Sequence, residues 1–472
     1  MDIKKIMTGG CALLFCTALT TQMASAQETS VEKAATQSAS HASDSLPRQW
    51  TLQQCIDYAL AHNIGLKKSR LNVKSSEVDV KTARAALFPS LNASIGQRIV
   101  NRPNSETNTI INGDNITSSQ SKTSYNGSYG IDANWTLYNG GKRLNTLEQQ
   151  KLNTRIAELE MDTEAKTIQE SILQTFVQIL YAHEAVSINE QTLNTSRAVA
   201  ERGRQLLEAG SISRADLAQL EAQVSNDQYN LVAAQATLDN YNLQLKQILE
   251  LDGEAPISLQ LPQIEDLDII TPLPGRTDVY RAALLMRPEI ESGQLNIDAS
   301  ELEIKKARSG YLPTLSLSAG IGTSNANGSD FSFGEQIKTN WNNSIGLTLS
   351  IPLYDNRQTK SAIQKAKIQR ETNALALAEQ QKALYKTIEG YWLEANSAQK
   401  KYAAANSNLQ STQESFNLLQ EQFNLGMKNT VDLLTEKNNL LNARQELLQA
   451  KYMTLLNSRM LTFYQQGTIS IE

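Results

Sequence analysis

Nine residues, Ala83-Arg84-Ala85-Ala86-Leu87-Phe88-Pro89-Ser90-Leu91, return 224 positions later as Ala307-Arg308-Ser309-Gly310-Tyr311-Leu312-Pro313-Thr314-Leu315. Ala59-Leu60 with Ala283-Leu284, and Leu71-Asn72-Val73 with Leu295-Asn296-Ile297, keep the same offset. Further along the offset is 216, pairing Leu137-Tyr138 with Leu353-Tyr354, Gly210 with Gly426, and Asp216-Leu217 with Asp432-Leu433. The first copy is therefore 8 residues longer, and the excess falls between Gly96 and Leu137. A chain written twice on one plan folds as two like halves, which argues against two independent enzymatic domains.

Each half carries two segments of strict alternation. The residue before a proline is driven out of helical geometry, so the helical patterns stop at Pro89 and Pro313 and strands start directly after them. Leu91, Ala93, Ile95 and Ile99 alternate with Asn92, Ser94, Gly96 and Arg98, and Leu315, Leu317, Ala319 and Ile321 with Ser316, Ser318, Gly320 and Gly322. After polar loops at Asn101–Lys122 and Thr323–Thr339, a second run sets Tyr125, Tyr129, Ile131, Ala133, Trp135 and Leu137 on one face. Its counterpart sets Trp341, Ile345, Leu347, Leu349 and Ile351 there. Strands with one apolar face, one polar face and aromatic residues near their ends fit a barrel between lipid and water. A soluble antiparallel sheet packed on one face gives the same alternation, but two hairpins some 200 residues apart, with long Asn-, Ser-, Thr- and Gly-rich loops, favour the membrane. Four strands cannot close a barrel and lipid does not tolerate open edges, so copies of the chain must pool strands, giving 8 from two chains or 12 from three.

Between the strands lie long segments without proline and almost without glycine, Lys142 to about Arg204 and Arg357 to about Asn424. At 1.5 Å per residue each approaches ~90–100 Å. After breaks at Gly210 and Gly426, leucine-rich positions recur every seven residues, at Leu217, Val224, Leu231, Leu238 and Leu245 and again at Leu433, Leu440, Leu447, Thr454 and Leu461. Such a repeat specifies coiled-coil packing. A filamentous coiled coil explains the helices equally well but gives no reason for wiring each helical hairpin to a pair of strands. Between the halves, Leu251–Arg276 holds four prolines and reads as a linker.

The N-terminus has Lys4 and Lys5, an apolar stretch around Cys11–Leu19 and the small-residue site Ala24-Ser25-Ala26, which is the pattern of a cleaved secretory signal. Its removal leaves Cys55 as the one mature cysteine, unable to form an internal disulfide, and 42 basic against 48 acidic residues, a net charge of −6. No basic footprint points to nucleic acid. His41, His62 and His183 share no ligand spacing, and neither zinc-protease, hydrolase nor phosphate-loop motifs occur, so no catalytic residue, metal or cofactor is expected.

With these features in order, the chain resembles the TolC family of outer-membrane efflux proteins over essentially its mature length. The resemblance rests on the junctions at Pro89 and Pro313, on the strand exits Leu137-Tyr138-Asn139-Gly140-Gly141 and Pro352-Leu353-Tyr354, and on Leu425-Gly426-Met427 followed by Val431-Asp432-Leu433-Leu434. It implies a fold of mixed α and transmembrane β: a homotrimer with a 12-stranded β-barrel, four strands per chain, continuous with a long periplasmic α-helical coiled-coil barrel. The expected division is a signal peptide at 1–26, a flexible N-terminal segment at 27–48, a first efflux repeat at 49–250, a linker at 251–275, a second repeat at 276–466 and a tail at 467–472. Pro89, Pro313 and Pro352 mark helix-to-strand junctions.

By the same resemblance the partners are a periplasmic adaptor, an inner-membrane pump and outer-membrane lipid. A periplasmic gate falls at Asp216, Phe423, Lys428 and Asp432, with Lys428 where arginine is typical, Phe423 in place of a tyrosine, and Thr435 in place of a second acid. Adaptor-docking tips fall at Ala209, Gly210 and Ser211 and at Leu425, Gly426 and Met427. Asp216 and Asp432 also suit a second role, as first-turn carboxylates of helices capped by Ser213 and Asn429. A trimeric adhesin would also bring four strands per chain, but it keeps them together at the C-terminus.

Overall fold

The computed structural model describes residues 49–103, 110–112, 115–117, 123–252, 257–262, 271–327 and 331–469. The signal peptide, the segment at 27–48, the middle of the linker and the last three residues of the tail lie outside the described residues. The chain forms two units. In the smaller, Trp50 bridges Leu259 in parallel, donating its N–H to Ser258 O at 2.8 Å and accepting from Gln260 N at 2.9 Å.

The larger unit holds the rest. Its first half runs through α1 (Leu52–His62), α2 (Ile64–Ala85), β1 (Ser90–Asn101), the short β2 (Ile110–Asn112) and β3 (Asn115–Thr117), β4 (Thr123–Asn139), α3 (Lys142–Glu208) and α4 (Arg214–Leu249). The second half runs through α5 (Arg276–Met286), α6 (Pro288–Arg308), a 3₁₀ turn (Ser309–Tyr311), β5 (Thr314–Ala326), α7 (Phe333–Thr339), β6 (Asn342–Ser350), α8 (Gln358–Asn424) and α9 (Thr430–Gln466).

Both α3 and α8 are 67 residues long, about 100 Å at the α-helical rise. Each is flanked by two shorter helices laid end to end. Beside α3, the start of α2 meets the end of α4, where Asn63 Nδ2 donates to Ile248 O at 3.2 Å. At the corresponding level of the second half, Lys166 of α3 donates to Gly467 O just past α9 at 2.7 Å. Arg287, at the start of α6, pairs with Glu170 at 2.8 Å and stacks on Tyr464 at 3.8 Å.

The strands form one antiparallel sheet in the order β1-β4-β5-β6, and the helices that continue them, α2, α3, α6 and α8, lie side by side in the same order. Register puts the apolar alternates together: Leu91 opposite Ala133, Ile131 opposite Ile321, Leu317 opposite Leu347. This face is bare, with Leu91 73%, Ile95 77% and Ile345 80% exposed. A soluble sheet would bury it, so these residues need lipid as their solvent. Among the described residues, both edge strands, β1 and β6, are unpaired on their outer sides. No helix among the described residues is long and apolar enough to cross a membrane.

Three details depart from the sequence reading. A bulge in β4 between Thr136 and Tyr138 makes Tyr138, rather than Leu137, the partner of Leu315, so the period of two slips there. The second polar loop contains α7, started by a capping box between Ser332 and Glu335. Pro89 and Pro313 each stand one residue before a strand, whereas Pro352 lies two residues past β6, on the way back to a helix.

Candidate functional site

The chain reverses twice at the end of the helices far from the sheet, and both reversals are built alike. α3 ends with Gly210 at φ +74°, where Gly210 N donates to Leu207 O at 2.9 Å and Ser211 N to Leu206 O at 2.8 Å. α8 ends with Gly426 at φ +74°, with Gly426 N on Phe423 O at 2.9 Å and Met427 N on Gln422 O at 2.8 Å. Both are Schellman closures, which require a left-handed residue and so favour glycine. The next helices start with side-chain caps: Ser213 Oγ accepts from Asp216 N at 3.1 Å, and Asn429 Oδ1 accepts from Asp432 N at 2.8 Å.

The two turns adjoin through a shared core. Leu206, Leu220, Phe416, Phe423, Leu433 and Leu440, from four helices, pack into one cluster. Phe423, expected at the gate, is 1% exposed and packs within this core. Arg202 of α3 donates to Asn424 O at 3.0 Å, placing a cation at the carbonyl end of α8. Asp216 is held by its own turn: Ser213 N donates to Asp216 Oδ2 at 3.0 Å. The Ser213 hydrogen bonds, together with the nearby Thr430 hydroxyl, keep its carboxyl below the ordinary aspartate range. Lys428 lies 3.7 Å from Asp432 within the same turn. Ala209, Gly210, Ser211, Leu425, Gly426 and Met427 are all exposed at the reversals.

Behind the turns is a buried ion pair that the sequence reading passed over. Asp227 of α4 is 1% exposed and Lys437 of α9 is 4% exposed. The Lys437 ammonium and the Ser196 hydroxyl both donate to Asp227 Oδ2, and Gln223 Nε2 donates to Asp227 Oδ1 at 2.9 Å. Burial pulls the Lys437 ammonium below its usual range, against the raising effect of Asp227. Asp227 stands three residues after Val224 and Lys437 four after Leu433, so each lies beside the repeated apolar positions of its helix.

A bare apolar sheet at one end of a helical unit about 100 Å long, with capped and exposed reversals at the other, defines an outer-membrane channel protein with a long periplasmic portion. The family model described as "Outer membrane efflux protein" matches residues 55–250 and 279–464, and the chain belongs to that family. It is 23% identical over 426 residues to outer membrane protein TolC of Escherichia coli, covering 88% of this chain and 81% of that one. It is 24% identical over 298 residues to the alkaline protease secretion protein AprF of Pseudomonas aeruginosa, covering 62% and 60%. Among solved structures, CusC superposes with a TM-score of 0.74 at 18% identity, covering 90% of this chain and 96% of that one. The open-state MtrE outer membrane channel of Neisseria gonorrhoeae gives 0.69 at 19%, covering 88% of each.

Proposed function

We propose that three copies of the chain close a 12-stranded barrel and a helical tunnel, forming the exit duct of a tripartite efflux or type I secretion system. A periplasmic adaptor and an inner-membrane pump would deliver substrate to the helical end. The observation that carries this reading is the four-stranded sheet with a bare apolar face and two unpaired edges. Sealing those edges in lipid requires identical neighbours. The names of the relatives, efflux and secretion proteins alike, support the duct and leave the cargo to the pump.

In this assembly the tips at Ala209–Ser211 and Leu425–Met427 receive the adaptor, their small residues allowing close approach. Asp216, Lys428 and Asp432 face the mouth three times each around one axis. Lys428 lies close to the Asp432 of its own turn, which offsets part of the negative potential of an Asp432 ring.

The mass of the purified protein in detergent and its single-channel conductance in a planar bilayer test the assembly. A trimer with a long-lived conductance is expected. A water-soluble monomer, or a trimer that conducts nothing with its mouth residues replaced, would overturn it.

A further inference from the structure

We propose that the outer surface just below the strands is a collar that holds anionic phospholipid headgroups of the periplasmic leaflet. The inference rests on the outer-membrane location and not on the gate. The whole chain carries a formal charge of −5, yet residues 81–89, 139–143, 305–313 and 352–360, the segments nearest the helix-side ends of the strands, hold nine Lys and Arg against one carboxylate, Asp355. Asp355 is committed locally, since its Oδ2 caps α8 by accepting from Thr359 N at 2.8 Å.

Seven of these cations, Lys81, Arg84, Lys142, Lys305, Arg308, Arg357 and Lys360, are exposed and form no ion pair among the described residues. Within the band only Lys306 has a carboxylate partner among the described residues, and further along the same helices some cations are paired. Lys306 meets Glu303 at 2.7 Å, Arg370 meets Glu301 at 3.0 Å and Arg155 meets Glu291 at 3.1 Å.

Placement selects the lipid. On α2, Lys81 and Arg84 lie at i and i+3 on one helix face, and the exposed Phe88 follows three residues past the end of the helix. Lys305 and Arg308 repeat this 224 residues later ahead of the exposed Tyr311. Leu353 and Tyr354, past β6, are 95% and 86% exposed. Aromatic residues at headgroup level, with Lys and Arg just outside the hydrocarbon, match the boundary between acyl chains and phosphate.

Backbone strain adds a separate observation. At the strand-to-helix return the first half uses Gly140 and Gly141 at φ +66° and +78°, whereas 216 residues on Asn356 and Arg357 hold φ +50° and +67°. A bulky side chain in the left-handed region is unfavourable where glycine would be free of strain. A strained arginine at the lipid boundary is explained if its charge has a partner there.

The test uses the mature protein reconstituted in nanodiscs of equal phosphatidylethanolamine and phosphatidylglycerol, with lipid retained after detergent washing quantified at low and high salt. Phosphatidylglycerol should be enriched at low salt, and the enrichment should fall by about fivefold for each arginine neutralised, as Arg84→Gln, Arg308→Gln and Arg357→Gln are combined. Arg357→Gly removes charge while relieving strain, so it should lower the enrichment without lowering the thermal midpoint, which separates lipid binding from misfolding. Equal retention of both lipids by the parent protein, or undiminished enrichment in the triple variant, would overturn the proposal. Conductance measured on the same discs reports independently on the duct.

Discussion

Two side chains show how far residue-level chemistry carries. The Asp227–Lys437 pair crosses from the first half to the second, and leaving either charge buried alone is costly. Asp227→Ala or Lys437→Ala should each lower stability by about 3–5 kcal/mol in denaturant unfolding, whereas Asp227→Leu combined with Lys437→Met should cost little or even stabilise. Cys55 is fully buried, and burial pushes its thiol up to about 12. The folded protein should therefore resist alkylation at Cys55 at pH 8 and react once unfolded, as peptide mapping would show. At the start of α4, the Asp216 carboxyl, depressed by its Ser213 bonds, gives its support above the ordinary aspartate pKa and loses it as pH falls through the lowered value. The α4 cap should thus persist to more acid pH than an unbonded aspartate would allow. Ser213→Ala should move its loss upward in a hydrogen-exchange titration.

At the level of elements, the turns separate backbone demand from space. Gly210 and Gly426 hold left-handed φ with nothing within 4 Å of an added Cβ, so alanine there meets only the conformational cost, about 1 kcal/mol. At Gly140 an added Cβ would also lie 2.9 Å from Leu312 Cβ, so Gly140→Ala should cost about 2 kcal/mol or more in the heat-dissociation midpoint. The long helices and strand pairs were readable because period and breakers are local: α3 and α8 begin and end where glycine and proline allow. The β4 bulge was not, since only pairing with β5 shows that Tyr138 replaces Leu137 opposite Leu315. The helix α7 carried a readable Ser332-x-x-Glu335 signature, hidden by polar neighbours within a seven-residue element.

For the whole molecule, the mouth of the proposed trimer makes the sharpest prediction. If Lys428 only fastened neighbouring chains, its removal would simply raise conductance. Because it lies 3.7 Å from Asp432 on the same turn, Lys428→Ala should also strengthen block by multivalent cations added on the periplasmic side. Asp432→Asn should relieve that block. The two measurements in planar bilayers separate charge from closure. Of the residues expected at the gate, Asp216, Lys428 and Asp432 lie at the exposed turns, while Phe423 lies in the core between four helices, a distinction that only packing reveals.

The amino-acid sequence alone carried the internal repeat, the four amphipathic strands, the two long helices and the glycine reversals. Each of these follows from spacing along the chain and from the backbone preferences of proline and glycine. Tertiary structure decided which charges between the coiled helices meet, that the apolar sheet face stays uncovered and which cations have no carboxylate partner below the strands. Those outcomes depend on contacts between residues hundreds of positions apart, and periodicity does not encode which distant partner a side chain will find.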